Sequence, residues 1–334
     1  MASVRIGKSY QVKHKKAVEK YLKTGKRFIL MRRWKDEIQT SNIEQYFQDV
    51  DVAKLTNDKY NCITVYRKRL YLSNYDNELN KTKRGEHIGY VVALSTEQNY
   101  AGASYLDVED IIFEEFMSRG LYIAGEPSKL MNFYATVDRK KLTTRVWLVG
   151  NTISRVCPYL RDWGLQQIVN SQKQGTIKIK TIKNNDEEIK IAIEYCKATG
   201  QSSGTIGTNS KMINTGSWDS KPQPKLPKSY NEYKKLYSIG FQYQGFKFLG
   251  ELLTDNKNLF WFIKPYMKDF KDNIIIFSDE IKTKRNWQTD IYNISINNIK
   301  LQHLLQTFKT DKIFYSSDLC GTDFNQAIDF SIKR

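Results

Sequence analysis

Short, continuous apolar runs that end abruptly in polar residues recur through the first half of the chain, and they predict strands buried on both faces. Phe28-Ile29-Leu30-Met31 runs into Arg32-Arg33, and Tyr90-Val91-Val92-Ala93-Leu94 into Ser95-Thr96-Glu97-Gln98. Ile111-Ile112-Phe113 runs into Glu114-Glu115-Phe116, and Arg145–Val149 into Gly150-Asn151. Cys62–Tyr66 and Leu70–Leu72 predict a small hairpin. Between these runs the pattern lengthens to a helical period. After Ser9, an apolar stripe of Tyr10, Val18, Tyr21 and Leu22 faces inward, with Lys13, Lys16, Lys20 and Lys23 facing out and Gly25 as the stop. A second helix is predicted around Ser128–Ala135. Strands alternating with helices predict an α/β fold, a predominantly parallel sheet covered by helices on both faces.

Near residue 197 the character changes. Gly200, Ser202, Ser203, Gly204, Gly207 and Ser210 cluster, and Pro222, Pro224 and Pro227 follow, which reads as a linker or extended arm. Beyond it, Tyr237–Tyr243, Phe246–Leu252 and Leu259–Phe262 form a predicted meander. Ile274–Phe277 is a further strand and Ile299–Phe308 a helix, giving a small α+β unit. The expected division is therefore 1–197, an arm over 198–232, and 233–334.

Composition narrows the class. The chain has 334 residues, enough for about two cores. No apolar run approaches the ~20 residues that cross a bilayer, and early lysines argue against a secretory leader. Four dispersed cysteines and three histidines give no zinc or disulfide pattern, which fits a reducing cytoplasm. A net charge of +17 points to a polyanionic partner, most simply nucleic acid, although a lysine-rich codon bias produces the same balance.

The candidate chemistry begins with Gly7-Lys8-Ser9 ahead of a helix. This is how a phosphate-binding loop ends, with lysine on the β- and γ-phosphates and serine on Mg²⁺. Ala2 stands where the loop's first glycine belongs, and no apolar strand precedes it, so the native N-terminus is expected to extend upstream. Paired carboxylates at a strand tip divide into a Mg²⁺-side acid, Glu114, and a residue that orients or deprotonates the attacking water, Glu115. Asn151 at another strand end could sense the γ-phosphate, or be an ordinary turn residue. Arg139, beside Lys140 and Lys141, is either a finger for a neighbouring subunit's nucleotide or part of a solvated basic loop. In the second half, Tyr237–Phe241 carries no carboxylate and Asp255, Asp269, Asp279 and Glu280 sit in turns, which argues against a two-metal nuclease.

The ordered set of stretches resembles the DNA-packaging (encapsidation) ATPases of phi29-type short-tailed phages, relatives of large terminase subunits. The matching stretches are Arg5-Ile6-Gly7-Lys8-Ser9-Tyr10, Phe28–Ile38, Ala93-Leu94-Ser95, Ile111–Phe116 and Gly125–Ser128. They continue through Val137-Asp138-Arg139, Gly150-Asn151-Thr152, Tyr237-Ser238-Ile239 and Gly245-Phe246. The resemblance implies a P-loop ASCE-type ATPase domain lacking its first strand, joined to a vestigial, nuclease-inactive RNase H-like domain. It implies ATP and Mg²⁺ as cofactors, with Arg5, Ile6, Gly7, Lys8, Ser9 and Tyr10 around the nucleotide and Ser9 and Glu114 at the metal. Glu115, Asn151 and Arg139 take the catalytic, coupling and trans-acting roles. Implied partners are double-stranded DNA, the phage portal, packaging RNA and other copies of the chain in a ring, a pentamer by the same resemblance, in the host cytoplasm and without a membrane. Glu114 departs from the family's aspartate. The alternative function is a non-catalytic nucleic-acid binder with a degenerate P-loop.

Overall fold

The structure, a computed structural model, describes residues 8–100, 102–118, 120–184, 187–197, 217–271, 273–279, 287–288 and 312–332. The chain packs into two units. Described residues up to Ile153, with Cys196 and Lys197, form the first, and those of 154–195 and from 217 onward form the second. The chain passes from the first unit to the second at Ile153/Ser154 and returns to the first at Cys196.

The first unit is built on six strands: β1 (Arg27–Arg32), β2 (Cys62–Tyr66), β3 (Arg69–Asp76), β4 (Lys81–Ala93), β5 (Val108–Glu114) and β6 (Arg145–Val149). Their order is β2-β3-β4-β1-β5-β6. The four strands β4, β1, β5 and β6 are mutually parallel, while β2, β3 and β4 pair antiparallel. Phe28–Met31 and Ile111–Phe113 are fully buried, as continuous apolar runs in a parallel sheet require. The β2–β3 hairpin turns through Arg67 and Lys68, both at positive φ, a two-residue turn whose twist matches the strands. In this unit β6 is an edge strand, half-exposed along most of its length.

Close backbone approach decides one position in this sheet. Gly89 on β4 lies opposite Phe28 on β1. A Cβ there would stand 2.7 Å from the Phe28 carbonyl oxygen, a backbone atom with nowhere to go. Gly89→Ala is expected to lower stability by about 1–3 kcal/mol, through overpacking at a pair of adjacent strands. Urea titration checks this, and an unchanged midpoint would show that the two strands can part freely.

The N-terminal helix departs from the predicted stripe. It runs as α1 (Lys8–Gln11), a π-helical stretch (Val12–Val18) and α2 (Glu19–Thr24), stopped by Gly25 at φ +69. Wider i→i+5 turns rotate each later side chain away from its α-helical position. As a result Lys13 is buried and Leu22 exposed, while Ala17 and Val18 enter the core; Tyr10, ahead of the π-helical stretch, is exposed as well. Lys13 donates to the Tyr46 carbonyl and pairs with Asp49, so its charge is compensated. Lys20, expected to be solvated, pairs with Asp110 and Glu109. Among the described residues this unit has three further α-helices, α3 (Thr40–Phe47), α4 (Val52–Thr56) and α5 (Glu126–Asp138), besides 3-10 turns at Lys35–Ile38 and Leu94–Tyr100.

In the second unit, α6 (Pro158–Asp162) and α7 (Gln166–Ser171) precede a separate hairpin of β7 (Thr176–Asn184) and β8 (Glu187–Tyr195). The main sheet has the order β13-β12-β9-β10-β11-β14. Its predicted meander is β9 (Lys234–Tyr243), β10 (Phe246–Thr254) and β11 (Leu259–Pro265). β12 (Ile275–Ser278) adds parallel to β9, β13 (Trp287–Gln288) parallel to β12, and β14 (Ile313–Tyr315) parallel to β11. The core sets Phe324, Ala327 and Ile328 of α8 (Asp318–Ile332) against Phe241, Phe248 and Trp261. The helix expected at Ile299–Phe308 lies outside the described residues. Among the described residues no helix is long and apolar enough to cross a membrane.

Candidate nucleotide site

Parallel pairing aligns the C-terminal ends of β1, β5 and β6, and the chemistry-bearing residues gather at that edge, where open α/β sheets bind their ligands. Met31 pairs with Phe113 and Glu114 with Val149, so Arg32, Glu114 and Gly150 come out side by side. Lys8 and Ser9, at the start of α1, meet them there. Lys8 Nζ donates to the Gly150 carbonyl at 2.8 Å, and Ser9 Oγ donates to Glu114 Oε2 at 3.0 Å. Residues more than a hundred positions apart are thereby joined into one polar cluster.

The two carboxylates differ in environment. Glu114 is buried; desolvation pushes its carboxyl above the usual carboxylate range, against hydrogen bonds from Tyr46 and Ser9 that pull it down. Tyr46 Oη donates to Glu114 Oε1 at 2.6 Å, leaving Oε2 to Ser9. Burial and the adjacent Glu114 charge raise the Tyr46 phenol well beyond its ordinary value, so it stays a donor. Glu115, by contrast, has a side chain 63% exposed and accepts from Arg32 Nη2 at 2.9 Å. A cleft of about 240 Å³ opens at Arg32, lined also by Glu37, Asn42 and Tyr46.

Of the remaining predicted residues, Asn151 follows Gly150 at the same edge, exposed, in a turn where its carbonyl accepts from Ile153. Tyr10 is exposed on α1 and its ring lies 5.2 Å from His14. Arg5, Ile6 and Gly7 lie outside the described residues. Arg139 is not brought to the carboxylates of its own chain. It caps the C-terminus of α5 in a left-handed conformation, and its guanidinium donates to the Gly102 and Ala103 carbonyls. Those carbonyls belong to the segment that leads into the N-terminal end of β5, whose seven extended residues span about 20 Å to Glu114 at the other end.

Sequence reasoning misses Tyr46, Arg32 and the pair Arg33–Glu126. Arg32-Arg33 carries part of the resemblance, but no pattern assigns either arginine a partner. Tyr46 occupies an unremarkable helical position, and only the packing of α3 takes it to β5.

The donor set suits a hard divalent ion. Ser9 Oγ and Glu114 Oε2 are oxygen donors already converging at one point. No cluster of three or more His, Cys, Asp or Glu side chains exists among the described residues, so any ion held there depends on substrate oxygens and water for its other ligands. That is the habit of Mg²⁺ at phosphate sites.

Residues 1–320 match the family model described as podovirus DNA encapsidation protein (Gp16). Over 170 residues the chain is 29% identical to the DNA packaging proteins of Bacillus phages PZA and phi29, covering 50% of this chain and 46% of each relative. The chain thus spans about half the length of the curated relatives it matches. A solved structure of the bacteriophage phi29 viral genome packaging motor assembly shares the fold, with a TM-score of 0.57 and 22% identity over 98% of this chain and 92% of that one. By the match over nearly its whole length, the chain belongs to the podovirus DNA encapsidation protein (Gp16) family.

Proposed function

We propose that this protein is an ATP-driven motor subunit that packages double-stranded DNA into a phage prohead. The observation that carries this reading is the meeting of Lys8, Ser9, Glu114 and Gly150 at the strand ends. Lys8 would neutralise the β- and γ-phosphates, and Ser9 and Glu114 would hold Mg²⁺, which supplies charge neutralisation on the phosphate oxygens. Glu115 is exposed enough to reach a water and would orient or deprotonate it. Asn151, next to the Lys8 anchor, would report the state of the γ-phosphate to β6. Arg139 lies remote from its own chain's carboxylates, which supports its use on a neighbour's nucleotide in a ring of copies. Such a ring would dock on the portal, where packaging RNA is a further partner to test for.

The second unit supports an RNase H-like domain without nuclease activity. A meander extended by strands parallel to its first strand is compatible with that fold, while β9, the leading strand, carries no Asp or Glu. The net charge of +17 suits a grip on DNA phosphates that does not read bases. The test is ATP hydrolysis by the full protein with and without double-stranded DNA, at two salt concentrations. DNA-stimulated turnover that weakens with salt is expected. DNA binding with no turnover would leave a nucleic-acid binder with a degenerate loop.

A further inference from the structure

Glu115 follows β5 with φ at +57°, a left-handed conformation uncommon for a residue with a side chain. What holds it there is a buried arginine. The side chains of Arg33 and Glu126 are 5% and 0% exposed, and Arg33 Nε donates to both Glu126 oxygens, at 3.1 and 2.9 Å. The same guanidinium sends Nη1 to the Glu115 carbonyl at 3.2 Å and Nη2 to the Phe116 carbonyl at 2.6 Å. It lies over the ring of Tyr122, 4.8 Å away, with Phe113 at 5.6 Å. Glu126 in turn accepts from the Ile123 amide at 2.9 Å, which ties the pair to the start of α5.

A buried ion pair is a poor choice for stability alone, because packed apolar side chains of similar volume do as well or better. A planar fork of five donors offers something apolar groups cannot: it fixes the direction of two successive carbonyls. We propose that Arg33, held by Glu126, is a positioning residue for Glu115, locking the Glu115 and Phe116 carbonyls and so the turn that carries the carboxylate out to Arg32. This rests on the ATPase reading for its consequence in turnover, but not for the geometry itself. Arg32 holds the Glu115 side chain and Arg33 holds its backbone, so adjacent arginines divide the work. The Phe116 amide donates to the Val149 carbonyl, so the locked turn also joins β5 to β6.

The test is Arg33→Lys in the full chain, with Glu126→Gln as a second variant should the first fail to fold. Lysine keeps the charge but cannot serve a carboxylate and two carbonyls in one plane. Amide hydrogen exchange at Phe116 is expected to speed up at least tenfold, with Ile111–Phe113 unchanged. ATP turnover is expected to fall about 10–100-fold with nucleotide affinity held within threefold, and in a Glu115→Gln background Arg33→Lys should cause no further loss. Unchanged exchange at Phe116 would overturn the proposal whether or not the parent hydrolyses ATP. An equal loss of turnover with and without Glu115 would overturn it too. An inactive parent, with exchange at Phe116 accelerated in the variant, would retain the clamp and dismiss the ATPase reading alone.

Discussion

Glu115→Gln is expected to cut DNA-stimulated ATP turnover by roughly 10²–10⁴-fold, the range for removing a positioned proton acceptor, while nucleotide binding stays intact. The substitution is nearly isosteric. The amide oxygen of Gln still accepts from Arg32 Nη2, so the side chain keeps its place and loses only its basicity. The exposed position predicts little effect on folding, since no buried charge is created or orphaned. Glu114→Gln should behave differently. Its carboxylate accepts from Tyr46 and Ser9 inside the protein, and an amide nitrogen in place of one oxygen would force the hydroxyl facing it to turn and accept, besides removing the charge that would meet the metal. That variant should lose Mg²⁺-dependent nucleotide binding as well as turnover. Parallel measurements of nucleotide affinity and single-turnover hydrolysis separate the two. Turnover in Glu115→Gln within threefold of the parent would remove Glu115 from the catalytic role and point to another base.

The parts of this site that the sequence makes legible are those that depend on strand ends. Continuous apolar runs stopping at Glu114 and Gly150 announce parallel strands, and parallel strands line up their C-terminal tips, so Lys8, Ser9, Glu114 and Asn151 were predictable neighbours. The contacts that need tertiary packing were not. Tyr46 reaches Glu114 across 68 positions and Arg33 reaches Glu126 across 93, with only single side chains as signals. Lys13 was misplaced for a different reason: a π-helical stretch breaks the 3.6-residue period on which the stripe was counted. In the second unit the alternation Ile177-Lys178-Ile179-Lys180 carries a strand signal for β7, and both isoleucines are indeed exposed on a two-stranded ribbon. The pattern reading places neither that hairpin nor α8. The latter does carry a helical signal, since its core positions Cys320, Phe324, Ala327 and Ile328 stand at i, i+4, i+7 and i+8.

Phe324→Ala should therefore produce the largest loss of stability among single changes in the second unit. Phe324 is 1% exposed and is the point where α8 meets the sheet. Its ring stands edge-on to Phe241 at 5.1 Å and to Phe248 at 5.2 Å, with Tyr315 6.0 Å away. Truncating a buried phenylalanine costs about 3–5 kcal/mol, because the lost transfer energy is joined by a cavity that rigid neighbours fill only partly. Here the neighbours are strand residues held by the β9–β10 ladder, and Asp323 beside it is anchored by Arg155, so collapse into the gap is restricted. For a unit of roughly 170 residues this corresponds to a fall in Tm of about 6–20 °C. Phe324→Leu keeps most of the apolar volume and should cost clearly less. Calorimetry on the full chain can follow both variants. A Tm within 2 °C of the parent for Phe324→Ala would mean that α8 does not hold the sheet, and that the unit's core closes without it.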